Sequence, residues 1–247
     1  MHIDAVLSPP EIDLLPQRDL SETLCVVFDV LRATSSILTG LAHGVEEIRP
    51  VLTIGEALAV RAQWPGAVLG GERHGERIDG FDLGNSPLEY RRGDLRRIIT
   101  TTTNGTVALR ACAGAREVLA GALLNLGALE AYLRAAAPAP APARVLLVAA
   151  GTFRDLALED VLAAGMLAAA FPHATLTDAA QTALALYRCH AGDLPGALRL
   201  ATNGAVLASR GRGAEIDWCA SLSRLPVVGR MEAGVIRAVP SGTPISG

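Results

Sequence analysis

Short apolar runs that stop abruptly at acids, hydroxyls or glycines, with Ala/Leu-rich stretches of helical period between them, constrain this chain more than any other feature. Runs of this length suit buried strands, and the intervening 3.6-residue period suits helices packed on a sheet. Strands are expected at 24–29, 47–52, 67–70, 97–101, 117–120, 144–149 and 174–176. Helices are expected at 34–43, 54–63, 104–112, 125–136, 157–170, 178–188 and 195–201. Such alternation predicts an α/β chain whose mostly parallel or mixed sheet is covered on both faces. Near the end, "IDWC" and "LPVVGRMEAGVIRAV" are expected to add strands of a smaller appended layer.

A chain of 247 residues, half of them hydrophobic, can bury a substantial core as one α/β domain. The Pro/Ala-rich stretch "AAAPAPAPAR", 135–144, is read as an extended surface connection within that domain, with a boundary between two lobes as the alternative. A net charge of -3 without a polybasic block argues against nucleic acid and membrane surfaces as partners and favours a small molecule. Cys25, Cys112, Cys189 and Cys219 are too scattered for a zinc site or a disulfide framework. No signal peptide or apolar run long enough to span a bilayer is evident, which predicts a cytoplasmic protein. Oligomeric state is not legible, although a homodimer is common among small metabolic α/β enzymes.

All 22 basic residues are arginine. Without lysine, Schiff-base chemistry, a pyridoxal phosphate anchor and a Walker-A loop are excluded, and arginine must supply any side-chain charge that binds an anion.

Ligands of open α/β sheets bind beyond the carboxyl ends of strands, so the residues that follow each apolar run matter most. Four such ends stand out: "VVFDVLRATSS", "VLGGERHGERIDGFDLGNSP" (68–87), "IITTTTNGT" (98–106) and "VAAGTFRDLALEDVLAAG" (148–165). The first delivers Asp29, Arg32, Thr34 and Ser35 to one turn. In the second, Glu72 directly follows a short strand and Arg73 adjoins it, whereas Glu76, Arg77 and Asp79 are read as solvated. The third places Thr103, Asn104 and Gly105 at a helix start, where free N–H groups favour an anion or simply form an N-cap. His74 reads as a surface residue, with general acid/base work as the alternative. The serines lack a GxSxG elbow. A strand-end aspartyl-phosphate mechanism would want a second acid where Leu31 stands.

Taken together, "FDVLRATSSI", "GGERHGERIDGFDLGNSPLEY", "TTTTNGTVAL" and "AAGTFRDLALEDVLAAG" resemble, in order, the blocks of the ComB-type 2-phosphosulfolactate phosphatase family, and "LASRGRGAEIDWCASLSRLPVV" resembles its closing pattern. The resemblance spans roughly 24–228; Phe153, Arg154 and Asp155 depart from it in a variable loop. It implies a three-layer α/β/α fold. It also implies a Mg²⁺-dependent hydrolysis of 2-phospho-3-sulfolactate to 3-sulfolactate and phosphate, a step of coenzyme M biosynthesis.

A small polyanionic phosphorylated acid of this kind would suit the forked donors of Arg32 and Arg73. Mg²⁺ would take oxygen ligands, first from Asp29 and Glu72, with Asp160 or Glu159 behind them. Asp82 or another carboxylate is the candidate for orienting water, and Thr34, Ser35, Asn85, Ser86, Thr103, Asn104, Gly105, Gly151 and Thr152 are candidates for binding substrate. The alternatives are a phosphatase for another phosphorylated 2-hydroxy acid, and a non-catalytic module that senses a phosphorylated metabolite.

Overall fold

In the computed structural model, which describes residues 1–136 and 143–239, the apolar runs form strands of one mixed sheet. In chain order these are β1 (His2–Val6), β2 (Thr23–Phe28), β3 (Glu47–Pro50), β4 (Ala67–Arg73), β5 (Glu76–Arg77) and β6 (Arg97–Thr101). They are followed by β7 (Glu117–Gly121), β8 (Arg144–Ala149), β9 (Thr175–Leu176), β10 (Val228–Glu232) and β11 (Val235–Val239). Their spatial order is β5-β4-β6-β3-β11-β10-β7-β2-β8-β1-β9.

Alternation along β2 shows why the sheet needs cover on both faces. Leu24, Val26 and Phe28 enter one apolar cluster with the helices Leu126–Ala135 and Leu158–Ala169. Cys25 and Val27 enter a second cluster with the helices Ala33–Ala42 and Gly105–Ala111. Because successive side chains point to opposite faces, a strand apolar at every position requires this α/β/α arrangement.

Two parallel groups, β7-β2-β8-β1-β9 and β4-β6-β3, are joined through the antiparallel hairpin β10-β11. The hairpin reverses strand direction between the groups. Across the steps from β2 to β6, however, twist of about 20–25° per neighbour accumulates to on the order of 100° and offsets much of that reversal. Hydrogen bonds accordingly connect the loops following β2, β4, β6 and β8 at one site.

Expected elements recur with ends shifted by a few residues, and the expected strand at 67–70 runs on to Arg73. The closing segment differs more. "IDWC" lies in the helix Gly213–Cys219, where Ile216 and Cys219 are buried one helical turn apart. The two strands after it are central in the sheet rather than an appended layer. Most of 135–144 lies outside the described residues, and β7 and β8, on either side of it in sequence, both pair with β2. Among the described residues no helix is long and apolar enough to cross a membrane.

Candidate active site

The turn after β2 is folded around its own acid and hydroxyls. Asp29 Oδ1 accepts from the Ala33 N–H at 2.9 Å, the Asp29 N–H donates to Thr34 Oγ1 at 3.0 Å, and that hydroxyl donates to the Asp29 carbonyl at 2.9 Å. Ser35 Oγ donates to the Val30 carbonyl at 2.8 Å. These bonds start the helix Ala33–Ala42 and fix the Asp29 backbone. Gly105, at the start of the helix Gly105–Ala111, admits the carboxylate: a Cβ there would lie 2.5 Å from Asp29 Oδ2 and 2.6 Å from the Ala33 Cβ.

β4 supplies the second acid. Glu72 Oε1 accepts from the Thr103 N–H and Oε2 from the Gly75 N–H, both at 2.8 Å, so one carboxylate holds the β6 loop and the β4–β5 turn together. Asn104 joins the β6 and β8 loops: its Nδ2 donates to the carbonyls of Ala150 and Phe153, and its Oδ1 accepts from the Phe153 N–H. Below the turns, Asp160 accepts from the Val30 N–H at 2.7 Å and the Gly151 N–H at 3.0 Å. Gly151 has φ +77, and a Cβ there would lie 2.6 Å from both Pro9 Cδ and the Asp155 carbonyl oxygen.

The remaining wall comes from the closing helices. Arg32 Nη1 donates to Glu215 Oε2 at 2.6 Å and Nη2 to the Gly75 carbonyl at 2.9 Å, with the paired side chains 4% and 10% exposed. Asn203, in the helix Thr202–Ser209, donates to Thr152 Oγ1 at 2.7 Å and to Glu159 Oε1 at 2.8 Å. Arg210 and Arg212 both bind Glu76.

These elements enclose a cavity of about 270 Å³. Asp29, Arg32, Glu72, Asn85, Thr103, Asn104, Gly151 and Thr152 line it, joined by His74, Phe153, Asn203 and Arg210, which strand-end reasoning did not select for the site. His74 is exposed, as expected of a surface residue, and stands at the cavity rim with its ring 5.8 Å from that of Phe153. Arg210 carried one weak signal, its place in "LASRGRGAEIDW" of the closing pattern, whereas Asn203 precedes that pattern and no strand end marks either residue.

Other expected site residues lie off the cavity, each for a specific reason. Arg73 follows Glu72 on the extended β4 and therefore faces the other way, binding the Glu72 and Thr101 carbonyls and Thr101 Oγ1. Asp82 accepts from the Leu69 N–H and pairs with Arg61 at 3.4 Å, which places it on the flank of β4. The Thr34 and Ser35 hydroxyls are engaged by backbone. Ser86 lies behind Asn85, and its carbonyl accepts from the Glu89 N–H. Gly105 backs Asp29, and Asp160 supports the turns from beneath.

Burial dominates the electrostatics. It raises the Asp29 carboxyl from the usual 3.8 to about 7; the Ala33 N–H opposes this, Glu72 and Glu159 add to it, and Arg32 opposes it. Burial likewise raises Asp160 well above the carboxylate range, with Glu159 and Asp29 adding to it, and raises Glu159 against its hydrogen bond from Asn203. Clustered acids that burial and mutual repulsion drive toward the neutral form suit a nearby cation.

The donor chemistry fits Mg²⁺. Among the described residues no three His, Cys, Asp or Glu side chains form a ready metal cluster. Mg²⁺ needs only one or two carboxylates when phosphate and water complete its shell. Among the described residues, Asp29 uses Oδ1 locally and has no donor on Oδ2, while Glu159 Oε2 and Thr103 Oγ1 are buried without a partner. Oxygen-rich and poor in nitrogen and sulfur, the set suits a hard cation.

The 2-phosphosulpholactate phosphatase family model matches residues 11–234. A Deinococcus radiodurans protein named "Probable 2-phosphosulfolactate phosphatase" is 40% identical, covering 94% of this chain and 95% of its own length. Proteins of the same name from Carboxydothermus hydrogenoformans and Clostridium perfringens are 36% and 32% identical, with coverage of 95% and 100% of both chains respectively.

Proposed function

The chain belongs to the 2-phosphosulpholactate phosphatase family, and from that premise we propose that it hydrolyses 2-phospho-3-sulfolactate to 3-sulfolactate and phosphate with Mg²⁺, a step of the coenzyme M biosynthesis type. The observation that carries this reading is the meeting of Asp29, Glu72 and Arg32 on one cavity, beside a buried Thr103 hydroxyl with no partner among the described residues.

Asp29, with Glu72 beside it and Glu159 behind, would hold the Mg²⁺, which when bound supplies positive charge to the phosphoryl oxygens. Arg32 is held at two points and meets the same oxygens as a preorganised donor, with no need to reorient during the reaction. Thr103 Oγ1 is available as a hydroxyl donor to the phosphoryl group. A water oxygen forms a bond to phosphorus, the bond from phosphorus to the C2 oxygen breaks in line, and that oxygen takes up a proton as the alcohol of 3-sulfolactate. Orienting that water falls to a cavity acid, because Asp82 does not reach the cavity.

Phosphate release from 2-phosphosulfolactate and from 2-phospholactate tests the reading. A preference of at least about a hundredfold in kcat/KM for the sulfonated compound is expected, because donors committed to the missing group would be left unpaired. Equal kcat/KM values would remove the named substrate and retain the phosphatase, whereas binding with no turnover of either compound would make the site a sensor.

A further inference from the structure

We propose that Arg210 is the specificity-determining residue for the substrate's second anion, so that the cavity selects phosphomonoesters carrying another negative group near the ester carbon. The inference rests on the phosphatase reading for the identity of that substrate.

Two cations line the cavity, and they are neutralised differently. Arg32 is matched one-for-one by Glu215 behind it. Arg210 shares a single carboxylate with Arg212: its Nη1 reaches Glu76 Oε1 at 2.7 Å, while Arg212 Nη2 reaches Glu76 Oε2 at 2.9 Å. Two guanidinium groups on one carboxylate leave a positive charge at this wall.

The guanidinium of Arg210 is also held in place. Its Nη1 donates to the His74 carbonyl at 3.3 Å as well as to Glu76, while Nε and Nη2 have no acceptor among the described residues. Gly75 permits the approach, since a Cβ there would lie 3.0 Å from Arg210 Nη1. Burial separates floor from rim: Asp29 and Glu72 are each 8% exposed, whereas the Arg210 side chain is 38% exposed. With the phosphoryl group drawn to the floor by a cation on the acids, a second anion on a short carbon frame extends toward the rim. Nε and Nη2 present the forked donor edge that carboxylates and sulfonates accept.

Calorimetric titration of the full chain with Mg²⁺ present tests this, with 3-sulfolactate and inorganic phosphate as probes. R210Q is expected to weaken 3-sulfolactate binding by about tenfold to a hundredfold, the cost of a charged hydrogen bond, with phosphate affinity changed by less than about threefold. R210K should recover part of the loss, because it restores charge without the fork. Lactate and 2-hydroxypropane-1-sulfonate then separate carboxylate from sulfonate: whichever depends on Arg210 identifies the anion at the rim. Unchanged 3-sulfolactate binding in R210Q, an equal loss for phosphate, or no binding of 3-sulfolactate to the wild type would overturn the proposal. A wild type that binds 3-sulfolactate through Arg210 but releases no phosphate would overturn the phosphatase reading and leave this subsite standing.

Discussion

Glu215→Ala should be among the most destabilising single changes near the site. The substitution leaves Arg32 buried, at 4% side-chain exposure, with its carboxylate partner at 2.6 Å removed. Because both side chains are well under a third exposed, solvent screening discounts little, and breaking such a pair costs about 3–5 kcal/mol. The hydrogen bond from Arg32 to the Gly75 carbonyl survives but carries no compensating charge. At about 2–4 °C per kcal/mol for a chain of this size, the melting temperature should fall by roughly 6–20 °C. Urea unfolding should show the same loss as a lower midpoint at an unchanged slope. Replacing both partners, as Arg32→Met with Glu215→Leu, should recover most of the stability, because the penalty comes from the unpaired charge. A loss below about 1 kcal/mol in Glu215→Ala, or a double variant no more stable than the single, would mean that Arg32 does not depend on Glu215 for its charge balance.

Gly105→Ala places a methyl group 2.5 Å from Asp29 Oδ2, so the carboxylate must move; steady-state kinetics should show kcat reduced by on the order of a hundredfold, and an unchanged kcat would contradict the close approach. Asp29 makes stability depend on pH. With its folded-state value raised to about 7 from 3.8, the folded chain binds more protons than the unfolded chain between those values, so this contribution is complete below pH 3.8 and lost as pH rises through 7. Metal-free protein should therefore melt at progressively lower temperature from pH 5 to 8, and Asp29→Asn should flatten that slope; equal slopes would count against the buried acid. Activity that needs the carboxylate should rise over the same interval, and saturating Mg²⁺ should move the rise to lower pH.

Legibility in the sequence followed the range of the interactions. Asp29, Glu72, Asn104 and Thr152 were visible because each follows an apolar run, and parallel strands bring such ends to a common crevice. Arg73 was misplaced because β4 continues through it, so the period of two that directs Glu72 inward directs Arg73 outward. Thr34 and Ser35 resembled ligand donors, yet short hydroxyl side chains at a helix start bond first to nearby backbone. Asn203, Arg210 and Glu215 were missed because their roles depend on docking of helices distant in sequence from β2 and β4, which local patterning cannot supply. The apolar runs of β10 and β11 were legible as strands, while their insertion between β7 and β3 is a long-range pairing that short-range patterning does not determine.

The role of Asp29 as a Mg²⁺ ligand can be read from phosphate release across a Mg²⁺ titration, with 2-phosphosulfolactate as substrate for wild type and Asp29→Asn. Release should require Mg²⁺ in the wild type and fall by at least about a hundredfold in Asp29→Asn even at saturating metal. Release by the wild type that ignores Mg²⁺, or full Mg²⁺-dependent activity in Asp29→Asn, would contradict that role.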